Sequence, residues 1–348
     1  MANNISKNKF PEKYLNVFIG TWNLGAQDLP KDFSLIPWLY PKSNEKIPDM
    51  YVLGFQEIVD LSSTNIIIAS NATKVELIMS IVQENLKALG KFTLVKVLDL
   101  VGILFIIFIK EDLCGYLKNI ESSIIKTGLM GTLGNKGYLI VRFNFQDVSI
   151  AFACCHLKAG IKEVQGRVQE LLDILSYNIQ MKNSKEILFK DHDIFFILGD
   201  LNFRIDLGIQ ECLDFIRNNY LETLYLHDQL NKKKNTTKGL IVLDEMKINF
   251  PPTYKYVIGT NEYDFKDKRI PSWCDRVIFN YNPNIIGMYY DNIENFNASD
   301  HKPIYGYFKL VINEKMDNVN NNINEYNENI LNTNSNNILF FIFFILLY

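Results

Sequence analysis

The stretch IFFILGDLNFRID, residues 194–206, decides how this chain is read. Its first five residues are apolar and rich in isoleucine and phenylalanine, the signature of a strand apolar enough for the centre of a protein. The run ends in Gly199, Asp200, Leu201 and Asn202. In an extended strand alternate side chains share a face, so Asp200 and Asn202 point together while Leu201 turns back into the core. A carboxylate in that position is costly unless something cationic or hydrogen-bonding meets it. Taken alone, the pattern also fits an Asx-type turn in which Asp and Asn serve the backbone.

Other strand ends carry the same kind of residue. Further apolar runs bounded by turn residues are LNVFIGTW (15–22), MYVLGFQE (50–57), VGILFIIFI (101–109), YLIVRFNF (138–145), VSIAFACCH (148–156), RVIFNY (276–281) and IYGYFKLVI (304–312). At or beside their ends stand Asn23, Gln56 with Glu57, His156, Asp275, and Asp300 with His301. One such residue is a turn. Asn, Asp, Glu and His gathered at several strand ends form a constellation suited to metal-assisted hydrolysis or phosphoryl transfer. Oxygen donors favour a hard ion, Mg²⁺ ahead of Ca²⁺ or Mn²⁺, whereas zinc would take more His and Cys.

Helical periodicity lies between the runs. Residues 74–89, 163–180 and 211–226 each collect apolar side chains on one face. YLIVRFNFQDVSIAFACCH predicts an antiparallel pair turning at Gln146 and Asp147. Many strands with intermittent helices predict an α/β arrangement, sheets inside and helices outside. Residues 1–14 form an N-terminal extension and 15–312 one continuous domain; 313–337 are an Asn-rich disordered linker, and 338–348 a short hydrophobic tail. Eleven residues are too few to span a bilayer as a helix, which takes about 20.

Several chemistries are excluded. A net charge of −3 argues against a general nucleic-acid binder. No cysteine is followed six residues later by arginine, as a Cys-based phosphatase requires, and no Gly-x-Ser-x-Gly elbow occurs. Water remains as the nucleophile. Cys154 and Cys155 read as core packing, and the odd count of five cysteines reads as reduced thiols in a cytoplasmic protein. Lys232, Lys233 and Lys234 read as a solvated loop that could also touch an anionic bilayer.

The ordered set GTWNLG, GFQEIVDL, GTLGNKG, HLKAG, GDLNFRI, FPPTYKY, IPSWCDR and SDHKPI resembles the inositol polyphosphate 5-phosphatases, within the endonuclease/exonuclease/phosphatase superfamily. FPPTYKY and PSWCDR carry most of the specificity, because GDLN and SDH occur across the superfamily. The resemblance implies a four-layered α/β sandwich, two mixed β-sheets packed face to face with helices outside. It implies Mg²⁺ on Glu57 with Asn23 and Asp300 beside it, and Asp200 orienting and deprotonating the attacking water. Asn202 and His156 would hydrogen-bond the scissile phosphate, and His301, fixed by Asp275, would contact the phosphoryl oxygens. Tyr254, Lys255 and Arg269 would hold the neighbouring 4-phosphate, and Lys136 lies in a glycine-rich loop suited to phosphate. The stretch KDKRIP departs from the family's Lys-x-Arg-x-Pro, with Asp267 standing where the lysine would be.

The reading that follows is Mg²⁺-dependent hydrolysis of the 5-phosphate of a phosphoinositide or inositol polyphosphate, with peripheral contact to an anionic membrane and no nucleic-acid partner. A nuclease or sphingomyelinase of the same superfamily, or a catalytically inactive phosphoinositide-binding module, are the other readings.

Overall fold

The computed structural model describes residues 13–42, 45–60, 67–100, 102–127, 136–182 and 184–312. The expected linker, the hydrophobic tail and most of the GTLGNKG loop lie outside the described residues. Strands numbered along the chain are β1 (Tyr14–Asn23), β2 (Met50–Gln56), β3 (Phe92–Leu100), β4 (Ile103–Lys110), β5 (Leu117–Lys126), β6 (Gly137–Phe145), β7 (Val148–His156), β8 (Asn178–Gln180), β9 (Glu186–Leu188), β10 (Ile194–Asp200), β11 (Leu243–Asp244), β12 (Asp275–Asn280), β13 (Ile285–Asn292) and β14 (Ile304–Val311). They form two mixed six-stranded sheets, ordered β13-β14-β1-β2-β4-β3 and β11-β12-β10-β7-β6-β5, plus the small β8-β9 ribbon. Every apolar run read as a strand is one, and β6 and β7 pair antiparallel across Gln146 and Asp147.

Alternation along β10 shows why its sequence is apolar throughout. Phe195 and Ile197 join Val168, Leu171, Ile174 and Leu175 of helix α3 (Val164–Leu175) in one outer core. Phe196 faces the opposite sheet, its ring 4.9 Å from that of Phe308 on β14. The other outer core packs Phe18, Tyr51, Leu53, Phe55 and Ile106 against Trp38 of α1 (Ile36–Leu39) and Ile78, Ile81 and Val82 of α2 (Ile67–Leu89). Strands buried on both faces cannot alternate with polar residues, so the central strands read as continuous apolar runs. None of the helices among the described residues is long and apolar enough to cross a membrane.

Three expectations are corrected. The helix read over 163–180 stops at Leu175, and 178–180 pair as β8 with β9. The helix read over 211–226 is two, α4 (Ile209–Arg217) and α5 (Leu221–Tyr225), because Asn219 takes a left-handed φ of +56° that ends the first. Lys232, Lys233 and Lys234 are not in a loop. They belong to α6 (Gln229–Thr236), whose N-cap Asp228 accepts the Asn231 N–H at 2.9 Å. Lys234 is buried, its Nζ 3.9 Å from Glu245.

Gly199 sets the approach of β10 to β7. Its φ is +138°, and a Cβ there would lie 1.9 Å from the Cys155 carbonyl oxygen. Gly199→Ala is therefore expected to lower stability by at least about 2 kcal/mol, read as a drop in the urea unfolding midpoint. An unchanged midpoint would contradict this packing.

Candidate active site

Strand direction assembles the site. β1 and β2 run parallel, as do β7 and β10, so four C-terminal strand ends reach one rim. Register places Asn23 opposite Gln56 and His156 opposite Asp200. β12 and β14 run antiparallel to β10 and β1, so their beginnings arrive at the same rim. That brings Asp275 opposite Asp200 and sets His301 just ahead of β14.

The two sheets are joined there by side chains. Asn23 Nδ2 donates to Asp200 Oδ2 at 2.9 Å. Gln56 is held between the sheets, accepting from Thr21 Oγ1 at 3.0 Å and donating to Cys154 Sγ at 3.6 Å. Glu57 follows with φ +47°, which turns its half-exposed carboxylate to the rim. His156 Nε2 lies 3.4 Å from Asp200 Oδ2 and 3.5 Å from Glu57 Oε1, and the Lys136 ammonium also contacts it. Glu57, His156 and Asp200 thus present three ligand atoms within 4.8 Å of one another. Two of the three are carboxylates, Glu57 half-exposed and Asp200 buried, a donor set that fits a hard divalent cation.

The second half of the site is an ion pair. His301 Nδ1 is 2.9 Å from Asp275 Oδ2, which also accepts from Thr253 Oγ1 at 2.6 Å. Burial alone would lower the His301 pKa, but Asp275, with Asp200 and Asp300 nearby, holds it at about 9. Burial raises the Asp275 carboxyl, opposed by the His301 charge. With Thr253 donating to the carboxylate, the proton at neutral pH sits on the imidazole. Asp200 is also buried, which would raise its pKa, but His156, His301 and Lys136 hold it well below the usual carboxylate range. Burial lowers the Lys136 ammonium pKa against the pull of Asp200 and Glu57.

The remaining expected residues fall into place unevenly. Asn202 has φ +57°, and its N–H donates to Asp200 Oδ1 at 2.9 Å, so the Asx turn is real. Its side chain donates to the Leu157 carbonyl at 3.1 Å, leaving the second amide hydrogen for a ligand. Asp300 stands outside the carboxylate–imidazole cluster, against Ser299 Oγ at 3.4 Å and over Gly25. Tyr254 is buried, its ring centroid 4.3 Å from that of His301. Lys255 pairs with Asp267 at 3.3 Å, and Arg269 lines a cavity together with Arg204. Cys154 and Cys155 are fully buried and burial pushes both thiols up, Cys154 to about 12, as core packing requires.

Arg204 was missed. Its guanidinium donates to Asn202 Oδ1 and lies 4.6 Å over the Tyr254 ring. With Ile161, Asp267, Lys268, Arg269 and Ile270 it lines a cavity of about 530 Å³ beside the cluster. The signal was present in the opening stretch. Polar Asp200, Asn202 and Arg204 alternate with fully buried Leu201, Phe203 and Ile205.

Residues 20–307 match the family described as Endonuclease/Exonuclease/phosphatase family 2. The chain belongs to this family, in its inositol polyphosphate 5-phosphatase branch. It is 32% identical to the inositol polyphosphate 5-phosphatase domain of SPSynaptojanin, solved with inositol (1,4)-bisphosphate and calcium ion, with a TM-score of 0.74 over 86% of this chain and 84% of that one. It is 34% identical to the inositol-1,4,5-trisphosphate 5-phosphatase 1 of Schizosaccharomyces pombe, over 88% of this chain and 28% of the relative. The phosphatidylinositol 4,5-bisphosphate 5-phosphatase INP51 of Saccharomyces cerevisiae is 31% identical, over 86% of this chain and 32% of its own length. The chain thus spans about a third or less of the curated relatives it matches.

The raised His301 pKa carries a sign. While Asp275 stays ionised, the proton on His301 contributes its full stability below pH 6.5, and that contribution is lost as pH rises through about 9. Imidazole resonances followed by NMR should show His301 titrating near 9, and Asp275→Asn should lower it, because the main opposition to burial is then gone and only Asp200 and Asp300 remain. A His301 titration at or below 6.5 in the unsubstituted chain would contradict the ion pair.

Proposed function

We propose that this chain hydrolyses the 5-phosphate of phosphoinositides such as phosphatidylinositol 4,5-bisphosphate, and of soluble inositol polyphosphates, with Mg²⁺ as cofactor. The observation that carries the reading is the Glu57–His156–Asp200 cluster facing the Asp275–His301 pair across one rim of the sandwich. Glu57 would hold the ion, with Asn23 and Asp300 beside it, and a bound Mg²⁺ supplies charge neutralisation for the phosphoryl oxygens.

Every other part of the chemistry is assigned to side chains. Asp200 orients a water and takes its proton as the oxygen attacks phosphorus. The bond between phosphorus and the inositol 5-oxygen breaks, that oxygen takes a proton from solvent and Asp200 later returns its own to solvent, giving inorganic phosphate and a free 5-hydroxyl. The His301 imidazolium donates to a phosphoryl oxygen from a fixed direction, because Asp275 occupies its other nitrogen. His156, the remaining Asn202 amide hydrogen and Lys136 donate to the other oxygens. Fixed donors around developing charge lower the barrier because they need no reorganisation during the reaction. Tyr254, Lys255 and Arg269 face the adjacent phosphate on the ring. The 530 Å³ cavity beside them falls within the range of small-molecule sites. A lipid substrate requires peripheral contact with an anionic bilayer on its cytosolic face.

Phosphate release measured by malachite green should require Mg²⁺, vanish with EDTA and fall by at least about 10³-fold in Asp200→Ala. A variant that keeps the full rate would overturn the role given to Asp200.

A further inference from the structure

Lys255 already holds a partner. Its Nζ lies 3.3 Å from Asp267 Oδ2 and 3.6 Å from Asp264 Oδ2. The two acids differ in what else they do. Asp264 belongs to the frame of the loop. Its N–H donates to the Lys255 carbonyl at 2.8 Å, its Oδ1 accepts the Lys266 N–H at 2.9 Å, and its side chain is only 14% exposed. The Asp267 side chain is 59% exposed and, among the described residues, pairs with Lys255 alone. Asp267 also lines the 530 Å³ cavity, in which Arg204, Lys268 and Arg269 are the cations. The cavity therefore carries one carboxylate among three positive side chains, at the position where a lysine is expected.

We propose that Asp267 is a specificity-determining residue, which occupies Lys255 in the absence of substrate and competes with the phosphate adjacent to the scissile one. This rests on the functional reading above. A ring phosphate that reaches for Lys255 must displace the Asp267 carboxylate and then share a cavity with it. Exposed ion pairs are weak, so the competition lowers affinity without blocking entry. Asp267 lines the same cavity, and like charges closer than about 8 Å are incompletely screened at physiological salt. The chain therefore grips a vicinal phosphate less firmly than a lysine at this position would allow, and it discriminates less against substrates that lack one. Because Asp264 also contacts Lys255, removal of the Asp267 charge leaves the lysine placed.

The test is steady-state kinetics on the full chain with Mg²⁺, using short-chain phosphatidylinositol 4,5-bisphosphate and phosphatidylinositol 5-phosphate. In Asp267→Asn, KM for the bisphosphate should fall about three- to tenfold with kcat unchanged. KM for the monophosphate should change by less than about twofold, and thermal unfolding should be unchanged. Asp267→Lys should lower KM for the bisphosphate further. An unchanged KM for the bisphosphate, or equal falls for both substrates, overturns the inference. If the unsubstituted chain releases phosphate from neither substrate, the functional reading fails, and the inference with it.

Discussion

The closeness of two apolar sheets is the constraint on which the site depends. At Gly54 a Cβ would come within 2.7 Å of Cys154 Sγ and 3.2 Å of the Leu198 side chain, both on the facing sheet. Only small residues allow these approaches, because interiors pack at the density of organic crystals. With the sheets this close, Asn23 on one reaches Asp200 on the other at 2.9 Å, and Gln56 reaches Cys154. Wider spacing would strand a buried carboxylate without its amide donor. Apolar packing thus sets polar geometry, and the site residues are held because the strands that end in them cannot move.

Charge balance follows from that rigidity. Asp200 and Asp275 are both buried, and each is met by specific side-chain partners. The result is two carboxylates with opposite tendencies, Asp200 driven down by His156, His301 and Lys136 and Asp275 driven up by burial. A second buried set lies behind the rim. Arg276 contacts Asp228 at 3.1 Å and Glu245 at 2.5 Å, and Glu245 also accepts from Tyr290 at 3.1 Å. It ties α6, β11, β12 and β13 together one residue beyond Asp275. The lysines read as solvated supply one of its members, Lys234.

The central strands and most of the site were legible because burial on both faces erases alternation, and polar residues then stand out at strand ends. The strands that went unread are β3, β5, β11 and β13, the four edges of the two sheets, together with the small β8-β9 ribbon. Edge strands mix charge with apolar residues to resist further pairing, as in LKNIESSIIK of β5, so neither the apolar run nor clean alternation marks them. Asp200 and Asn202 were read both as a turn and as a site, and the turn is present. The backbone N–H of Asn202 closes the turn on Asp200 Oδ1 while Oδ2 faces Asn23 and His156. Arg204 was legible by the same alternation. The partnership of Asp267 with Lys255 was not, since the departure in KDKRIP marks a changed charge but not the side chain it meets.

Family membership leaves open what the rim does in this chain, because the same sandwich can carry different chemistry. The most direct measurement is the identity of the product. Full-length chain incubated with Mg²⁺ and inositol 1,4,5-trisphosphate should yield inorganic phosphate and inositol 1,4-bisphosphate, resolved by anion-exchange chromatography. Inositol 1,5-bisphosphate or inositol 4,5-bisphosphate as the product, or no hydrolysis, would contradict the account.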